Sequence, residues 1–546
     1  YCVVVSLINP LIIESAIDNH IGNKDYIGLY KLLIIALIIN LIATFAIKLR
    51  MYIMAKMCNQ ILLTIRQELY THIQKLGFKF FDSRPTGKIL SRIIGDINSL
   101  KDVLSNCVTT LIPDFITVCA VVIIMFSKNP KLAVAALIST PFMAIAITMI
   151  QVKAHPRWQT FRKKSSNLNA FLHEDMSGMK IIHSFTAEKE TEETFDELLN
   201  EHKSSFRSAV RLSDCFGSVI DFSWGFGCVA LYFIGIVVLK YENISVGTFL
   251  AFGTYINMFW QPINNLSNFY NQITTNIAGA ERIFEILDTK PEIEDEKGVV
   301  DLPDIKGEVT FDHVTFGYDE EKVLDDVSFV IKPGETIAIV GPTGAGKSTI
   351  INLISRFYDA NEGRVLLDGY DVKDVSIESL RKQVGTMTQE NFIFSGTVKD
   401  NIRYGKLDAT DEEIIEAAKA VNAHEFIMKL DKGYDTELLE RGGGLSIGQK
   451  QILALARTMV SKPKILILDE ATSSIDTKTE LIVQKGIDKL LSGRTSFVIA
   501  HRLSTIKRAD RIFVVDNGKI IEEGNHRQLL EKKGAYYNLY MAQFNI

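Results

Sequence analysis

Long runs of apolar residues fill the first half of the sequence, and no run of comparable length follows about residue 280. Six such segments cover residues 1–17 and, approximately, 29–55, 108–126, 132–152, 218–239 and 246–264. Because a helix needs about 20 apolar residues to cross a bilayer, the pattern predicts six transmembrane helices. The first run is shorter than that and does not begin with Met, so we expect the first helix to be truncated at its N-terminus.

The connections between the predicted membrane segments alternate between short and long. Those after the second and fourth segments are long, amphipathic and rich in basic residues such as Arg92, Arg157 and Arg207. Because positive charge collects on the cytoplasmic side of membrane proteins, we expect both long connections and both chain ends to be cytoplasmic. Apolar residues at helical spacing indicate that the membrane helices extend into the cytoplasm, broken by turn-like stretches at 77–87 and 177–182.

After about residue 289 the pattern changes to short β-rich runs that alternate with helices. An acidic linker containing Gly298 and Pro303 precedes the change. Near-continuous runs of Ile, Val and Leu are typical of central parallel strands covered on both faces. We expect strands at 308–311, 327–331, 336–340, 465–468, 496–500 and 511–515. The sequence therefore predicts a six-helix transmembrane domain over 1–288, a linker over 289–306 and an α/β domain over 307–546.

Composition and charge agree with two unlike domains and exclude one class of partner. The chain has 546 residues, of which 47% are hydrophobic and 23% charged, and its mean hydropathy is +0.13. This length favours two or more domains. A net charge of only −5 gives no electrostatic basis for binding nucleic acid. The six cysteines lie in the apolar half without the close pairs typical of metal or redox sites.

A glycine-rich loop between a predicted strand and a predicted helix carries the strongest chemical signal. It reads Gly341-Pro-Thr-Gly-Ala-Gly-Lys-Ser-Thr349, which fits the phosphate-binding pattern G-x-x-x-x-G-K-[ST]. Glycines let backbone N–H groups turn towards phosphate oxygens, and the helix N-terminus adds partial positive charge. We expect Lys347 to bind the β- and γ-phosphates of ATP and Ser348 to coordinate Mg²⁺. The expected nucleotide contacts in this loop are Gly341, Thr343, Gly344, Ala345, Gly346, Lys347, Ser348 and Thr349.

A second nucleotide motif ends one of the apolar strands. The run Ile465-Leu-Ile-Leu-Asp-Glu470 places two carboxylates at the end of a buried strand. We expect Asp469 to hold the Mg²⁺ shell and Glu470 to polarise the attacking water as a general base. The two motifs together predict a P-loop nucleotide-binding domain that hydrolyses ATP.

Between the two nucleotide motifs lies Leu445-Ser-Ile-Gly-Gln449, which resembles the LSGGQ signature of ATP-binding-cassette (ABC) proteins. The three motifs in this order identify the C-terminal half as a member of that family. The resemblance implies adenine stacking by Tyr318, a catalytic and Mg²⁺-sensing Q-loop glutamine at Gln389, a D-loop acid at Asp476 and a γ-phosphate-sensing histidine at His501.

In this family the signature acts in trans, so that each ATP lies between the phosphate loop of one subunit and the signature of the other. The resemblance therefore implies a dimer. It also implies that Leu445, Ser446, Gly448 and Gln449 complete the partner's site. Ile447 departs from the usual glycine, which leaves open whether it impairs that site in trans.

The membrane half resembles the half-size ABC exporters of the type IV fold. The stretch Phe80-Phe-Asp-Ser-Arg-Pro-Thr-Gly-Lys-Ile-Leu-Ser-Arg92 matches their first cytoplasmic loop, and Gly178-Met-Lys-Ile-Ile182 resembles the second. In that family these loops carry coupling helices that dock on the ATP-binding domains. The resemblance implies an integral protein of a bacterial plasma membrane, with its ATP-binding domain in the cytoplasm, that switches between inward-open and outward-open states.

The resemblance favours ATP-driven export of amphipathic small molecules, lipids or peptides. Two alternatives remain open from the sequence: an importer built on the exporter fold, and an ATP-gated channel or regulator. The stretch 472–480 and the altered signature resemble the catalytically competent half of heterodimeric bacterial exporters. We therefore expect a second, different half-transporter as the partner, with a homodimer as the alternative.

Two carboxylates lie inside predicted membrane segments. Asp114 and Asp221 fall near their cytoplasmic ends, and no Lys or Arg lies within either apolar run. Because a carboxylate within the bilayer costs about 2.5–3.5 kcal/mol, we expect each to face a cavity or a partner. One hypothesis is that they line a substrate cavity and favour cationic amphipathic substrates. The alternative places them at the headgroup boundary or in a bond to a neighbouring helix.

Overall fold

The computed structural model describes residues 2–238, 244–295, 298–318, 321–388, 391–470, 477–500 and 503–544. Its contacts divide the chain into two compact units. The first consists of Tyr1–Ile73 with Gly87–Asp288, and the second of Gln74–Thr86 with Thr289–Ile546. The short segment 74–86, which follows the second predicted membrane segment, therefore packs with the C-terminal half of the chain.

The first unit is helical throughout the residues that the structure describes. The helices of this half of the chain are α1 (Cys2–Ser15), α2 (Tyr26–Ile73), α3 (Phe78–Asp82, in the second unit), α4 (Thr86–Ser91), α5 (Ile97–Asn106), α6 (Ile112–Lys128), α7 (Pro130–Leu137), α8 (Thr140–Phe185), α9 (Glu188–Phe233) and α10 (Val246–Asp288). Single π-helical turns at Ala16–Ile21, Arg92–Asp96, Cys107–Leu111 and Ile234–Val238 continue several of them.

Four continuous helical stretches are long and apolar enough to cross a membrane, among the residues described. They are Tyr26–Ile73, Thr86–Lys128, Pro130–Phe185 and Glu188–Val237. Within the residues described, the predicted apolar segments are helical except for the turn at 138–139 between α7 and α8, and α1 has only 14 residues. The long helices extend past the ends of their apolar stretches. Helix α2, for example, has 48 residues, so it is much longer than the roughly 30 Å of hydrocarbon in a bilayer.

One sequence prediction about these extensions is wrong. The turn-like stretch expected at 177–182 lies inside α8, which continues to Phe185. Gly178 is tolerated there because one glycine costs a helix only about 1 kcal/mol relative to alanine, and its neighbours Met179, Lys180 and Ile181 suit a helix. The chain instead reverses at Thr186, whose left-handed backbone (φ 53°) ends α8.

Packing in the first unit combines an apolar core with a charged contact. Leu132 and Phe252 are fully or almost fully buried in a cluster shared by α1, α6, α7, α9 and α10. Towards the end of α10, the guanidinium of Arg282 binds both carboxylate oxygens of Asp96, at 2.7 and 2.8 Å. This bidentate pair raises the pKa of Arg282 and fixes α10 against the π-helical turn that contains Asp96.

The second unit is an α/β domain with three sheets. Its strands are β1 (Val309–Phe316), β2 (Leu324–Ile331), β3 (Thr336–Val340), β4 (Glu362–Leu367), β5 (Tyr370–Asp371), β6 (Val384–Met387), β7 (Gly396–Thr397), β8 (Glu437–Leu438), β9 (Ile465–Glu470), β10 (Thr495–Ala500), β11 (Arg511–Asp516) and β12 (Lys519–Gly524). The main sheet has the order β12-β11-β3-β10-β9-β6, and a smaller one has the order β2-β1-β4-β5. Strands β6, β9, β10, β3 and β11 run parallel, whereas β1 pairs antiparallel with β2 and β4.

Helices cover both faces of the main sheet. They are α11 (Lys347–Ile354), α12 (Ile377–Gln383), α13 (Val398–Arg403), α14 (Asp411–Ala420), α15 (His424–Ile427), α16 (Ile447–Ser461), α17 (Thr477–Leu491), α18 (Leu503–Arg508), α19 (His526–Lys532) and α20 (Ala535–Phe544). Alternate residues of β3 enter different cores, because strand side chains point to opposite faces. Ala338 packs with α16, while Ile337 and Ile339 pack with α11 and the smaller sheet.

Candidate functional site

The phosphate loop joins the central strand β3 to the N-terminus of α11. Gly344 and Gly346 have positive φ angles of 83° and 103°, a conformation that side-chain-bearing residues rarely adopt. A Cβ at Gly346 would lie 2.8 Å from the Leu324 side chain, whereas the space around Gly344 is open. Glycine is therefore required at 346 because of both its backbone conformation and the close packing of Leu324. At 344 only the backbone conformation requires glycine, since no neighbouring atom would obstruct a side chain there.

Lys347 is positioned over the mouth of this loop. Its ammonium donates to the backbone oxygens of Gly341 and Pro342, each at 2.8 Å. Burial lowers the pKa of Lys347, and the carboxylate of Asp469 opposes that shift. The structure thus brings the lysine of the loop near the first acid of the second nucleotide motif.

The remaining loop residues differ in exposure. Thr343 and Ser348 are exposed, while Ala345 and Thr349 are buried against the strand and helix beside them. An exposed hydroxyl at the first turn of α11 suits a metal ligand, because Mg²⁺ prefers oxygen donors and keeps several waters. Ser348 and Asp469 therefore fit a Mg²⁺ site completed by phosphate oxygens and water.

Strand β9 places the second nucleotide motif at the edge of the sheet where the phosphate loop begins. It lies between β10 and β6, with Asp469 paired to Ile499 and Glu470 paired to Ala500. Since carboxyl ends of parallel strands meet at one edge, the end of β9 lies at the edge where β3 delivers the phosphate loop. The predicted Gln389, Asp476 and His501 lie outside the described residues, as does the side chain of Glu470.

Tyr318 follows β1 and reaches the helix of the phosphate loop. Its hydroxyl lies 3.3 Å from the Thr349 hydroxyl and accepts a hydrogen bond from Asn352 at 3.2 Å. The ring packs edge-on against Phe316 and Tyr358, with centroids 5.0 Å apart in both pairs. The structure therefore places this predicted adenine-stacking residue beside the loop on a support of two aromatic rings.

The signature motif forms the N-terminus of α16. Ser446 accepts a hydrogen bond from the backbone N–H of Gln449 at 3.2 Å, and the Gln449 side chain accepts one from the Ser446 N–H at 2.9 Å. This reciprocal capping box satisfies N-terminal donors of the helix. Gly448 is buried and Leu445 packs against the core, whereas Ile447 is 58% exposed. The departure at Ile447 thus leaves the helix cap intact and places an apolar side chain on the surface.

The phosphate loop and the signature belong to opposite layers of the domain. Ala345 and Ile350 lie in the core between the two sheets, while Ile452 and Leu455 of α16 lie in the core on the other face. Within one chain, therefore, the two motifs do not share a layer, which agrees with a signature that serves another subunit.

The resemblance implied that the first cytoplasmic loop docks on an ATP-binding domain, but it did not name the residues through which the segment 74–86 packs in the second unit. Tyr358 donates a hydrogen bond of 2.5 Å to Asp82, and the rings of Phe78 and Phe357 lie 4.4 Å apart. Burial and the Asp82 carboxylate both raise the pKa of Tyr358. Tyr358 lies just beyond α11, so a coupling-loop residue is linked directly to the end of the phosphate-loop helix. The sequence signals were the family-like loop that contains Asp82 and the aromatic pair at 357–358.

The two membrane carboxylates have different surroundings. Asp114 is half-buried and accepts a hydrogen bond from the side-chain amide of Asn265 on α10, at 3.0 Å. Asp221 is exposed on α9. The bond to a neighbouring helix is the alternative that the sequence left open for Asp114. A neutral amide leaves its charge in place, so the cavity hypothesis stays a prediction for both residues.

Comparisons with known proteins cover almost the whole chain. The family model of the ABC transporter transmembrane region matches residues 2–263, and a second family model, described as ABC transporter, matches residues 324–473. The uncharacterized ABC transporter ATP-binding protein YknV of Bacillus subtilis (strain 168) is 42% identical over 99% of this chain and 90% of its own. An ATP-dependent lipid A-core flippase of Syntrophus aciditrophicus (strain SB) is 39% identical over 89% of this chain and 81% of its own. The solved structure of a bacterial Atm1-family ABC exporter with ATP bound is similar over 99% of this chain and 96% of that chain, with a TM-score of 0.80 and 28% identity.

Proposed function

The chain belongs to the ABC transporters, as a half-size exporter that couples ATP hydrolysis to transport across the plasma membrane, and we propose that it exports an amphipathic, lipid-like molecule. Its ATP-binding domain is cytoplasmic. The relative named as a lipid A-core flippase supports an amphipathic cargo. Drugs and peptides of similar character remain within the same proposal.

The observation that carries the ATP-binding part of the proposal is that the phosphate loop and the end of β9 lie at the same edge of the parallel sheet. Lys347 covers the loop and is close enough to Asp469 for the carboxylate to affect its pKa. In the proposed site, Lys347 exchanges its bonds to the Gly341 and Pro342 oxygens for phosphate oxygens. The glycines present backbone N–H groups to the same phosphates, and Tyr318 supports the adenine ring.

Residues around the phosphates are proposed to hold Mg²⁺ and to activate water. Ser348, Gln389 and Asp469 would coordinate the metal, which neutralises charge developing on the phosphates during transfer. Glu470 accepts a proton from the attacking water, and His501 contacts the γ-phosphate. Register pairing of Glu470 with Ala500, the residue before His501, supports a shared edge for these two roles.

ABC exporters of this fold generally work as dimers, and the separate layers of loop and signature support an arrangement in trans. We propose that Leu445, Ser446, Gly448 and Gln449 complete the site of a partner chain. The partner is proposed to be a different half-transporter, because Ile447 replaces the usual glycine of the signature. This chain would then supply the phosphate loop and Glu470 to the working site.

A reconstituted transport assay tests the proposed export. The purified transporter in inside-out vesicles should accumulate an amphipathic probe when MgATP is supplied outside. The same lipid-like compounds should stimulate its ATP hydrolysis, while hydrophilic compounds of equal size should not. Efflux of the probe from these vesicles, or passive flux that persists without ATP hydrolysis, would contradict the proposal and favour import or channel activity.

A further inference from the structure

Two facing stretches of α8 and α9 carry basic residues and no acidic ones. Residues 153–164 of α8 contain five Lys or Arg, and residues 202–213 of α9 contain three, with no Asp or Glu in either stretch. We call these eight residues the basic band: Lys153, Arg157, Arg162, Lys163, Lys164, Lys203, Arg207 and Arg211. Acidic residues flank this stretch of α9 on both sides, with four glutamates between 188 and 193 at the start of the helix and Asp214 directly after the stretch.

The basic band is a single surface, because direct contacts join the two stretches. Arg157 donates to the backbone oxygen of Ser208 at 3.2 Å, and the Trp158 indole N–H donates to Ser213 at 2.8 Å. The ring of Phe161 packs on that of Phe206 with centroids 5.3 Å apart. The two stretches therefore pack side by side as one helix pair.

The band begins where the apolar membrane stretches end. The apolar run of α8 ends at Val152 and that of α9 begins at Ser218. At a rise of about 1.5 Å per residue, Lys153, Arg157 and Arg211 lie within about 10 Å of this boundary. Headgroups occupy about 5–8 Å of each leaflet, and a charge acts over a Debye length of about 8 Å. These three cations can therefore reach phosphate headgroups of the cytoplasmic leaflet, with Trp158 at the depth that indole rings prefer.

The same three cations are exposed and keep their charge available. Among the residues that the structure describes, none of Lys153, Arg157 and Arg211 pairs with a carboxylate. Asp214 is exposed three residues after Arg211 and is the one acid of α9 between the band and the apolar run. At the far end of the band, Lys164 pairs with Glu201 at 2.6 Å. The membrane-proximal part of the band thus has three cations against one acid, Asp214, and its net charge is positive.

The rule that orients membrane helices already accounts for an excess of Lys and Arg in a cytoplasmic connection. The structure adds that Lys153, Arg157 and Arg211 are exposed. Two of them lie on one helix and the third on the helix packed against it. The three cations can therefore act together on anions at the depth of the headgroups.

We propose that Lys153, Arg157 and Arg211 form a binding surface for the phosphate headgroups of anionic phospholipids resident in the cytoplasmic leaflet. Charge complementarity and depth carry the assignment. The lipid is a bound partner of the transporter, and the proposal is independent of the cargo. Because the band lies on the cytoplasmic extensions of α8 and α9, bound lipid would restrain the helix pair that ends in the second cytoplasmic loop.

The test compares two triple variants of the full-length transporter that remove the same number of charges. K153Q/R157Q/R211Q removes the membrane-proximal cations. K163Q/K203Q/R207Q removes three exposed cations that lie about 16 Å or more from the apolar boundary. Nanodiscs of phosphatidylcholine with a minor fraction of phosphatidylglycerol are prepared without ATP, so that transport does not contribute. Retained phosphatidylglycerol is counted by native mass spectrometry.

The wild type should retain phosphatidylglycerol in preference to phosphatidylcholine. In the membrane-proximal variant, the preference for phosphatidylglycerol over phosphatidylcholine should fall at least about tenfold, because each cation near the surface contributes about fivefold to the affinity. The control variant should lose less than about threefold. R157K/R211K should retain the lipid because charge is preserved. ATP hydrolysis in pure phosphatidylcholine reports folding, and if the triple variant fails there, K153Q alone should still show the fivefold loss. Equal losses in the two triple variants, or no preference in the wild type, would overturn the proposal.

Discussion

At the scale of single residues, the ATP site is defined by which side chains approach the phosphate loop. Lys347 and Asp469 come from elements far apart in sequence, yet the carboxylate is close enough to affect the pKa of the ammonium. Tyr318 approaches from a third direction through its bond with Thr349. Convergence of these side chains on one loop makes the proposed roles separable by substitution, because binding and hydrolysis depend on different residues.

Replacing Glu470 with Gln should abolish turnover and keep ATP binding. The amide removes the general base but leaves Lys347 and Asp469 in place, so hydrolysis should fall about 10²- to 10⁴-fold. ATP should stay bound in a long-lived closed dimer. Lys347→Ala is the matched contrast, because it should weaken nucleotide binding itself in a titration. Near-normal ATP hydrolysis by the Glu470 variant would remove this residue from the proposed mechanism.

Replacing Asp114 or Asp221 with Asn should reduce export of a cationic dye more than export of its neutral analogue. The change removes only the charge, and an amide at 114 can still accept the hydrogen bond from Asn265. Asp214→Asn is a suitable control, since this acid is exposed on α9 outside the apolar run. If both dyes respond equally, or neither responds, the cavity hypothesis is wrong.

At the scale of elements, the sequence predicted best where one segment determines its own structure. Strand β3 was predicted with its observed bounds, and the predicted strands at 465–468, 496–500 and 511–515 fall within β9, β10 and β11. Their continuous apolar runs match parallel strands buried on both faces. The runs at 308–311 and 327–331 are also strands, but they pair antiparallel in the smaller sheet, where exposed and buried positions partly alternate.

The individual side-chain contacts between segments distant in sequence could not be predicted from the sequence. Tyr358 and Asp82 are 276 positions apart, and neither stands out by composition. Local patterns likewise could not show that Asn265 lies beside Asp114, because helix periodicity does not say which faces meet. The phosphate loop was predictable for the opposite reason, since its glycines and Lys347 are constrained by chemistry within nine consecutive residues.

Replacing Tyr358 with Phe should weaken the coupling of ATP hydrolysis to transport. The substitution removes the hydroxyl that donates to Asp82, a hydrogen bond worth about 1 kcal/mol once the exposure of Asp82 is considered. Transport per ATP hydrolysed should fall, while nucleotide binding should change little. Tyr370→Phe removes a hydroxyl from an exposed tyrosine on β5 and serves as control. Equal coupling ratios in the two variants would show that the Tyr358–Asp82 contact is not used.

At the scale of the whole molecule, the signature is the feature on which the proposed second subunit depends. It lies in a different layer from the phosphate loop, and Ile447 exposes an apolar side chain where the partner's nucleotide would approach. In a homodimer both sites would contain Ile447. In a heterodimer this residue would affect only the site built on the partner's phosphate loop, so the two assemblies respond differently to the same substitution.

The chain purified alone should hydrolyse ATP weakly and without cooperativity, and a different half-transporter should restore activity. Ile447→Gly should then leave the activity of the restored pair nearly unchanged, because the working site uses the partner's signature. In a homodimer the same substitution would alter both sites, and turnover should change in the chain alone. Ile447→Val is the control, as it keeps a branched side chain at the position. Robust cooperative ATP hydrolysis and transport by the solitary chain would refute the heterodimer, since each phosphate loop would then be completed by an Ile447-containing signature.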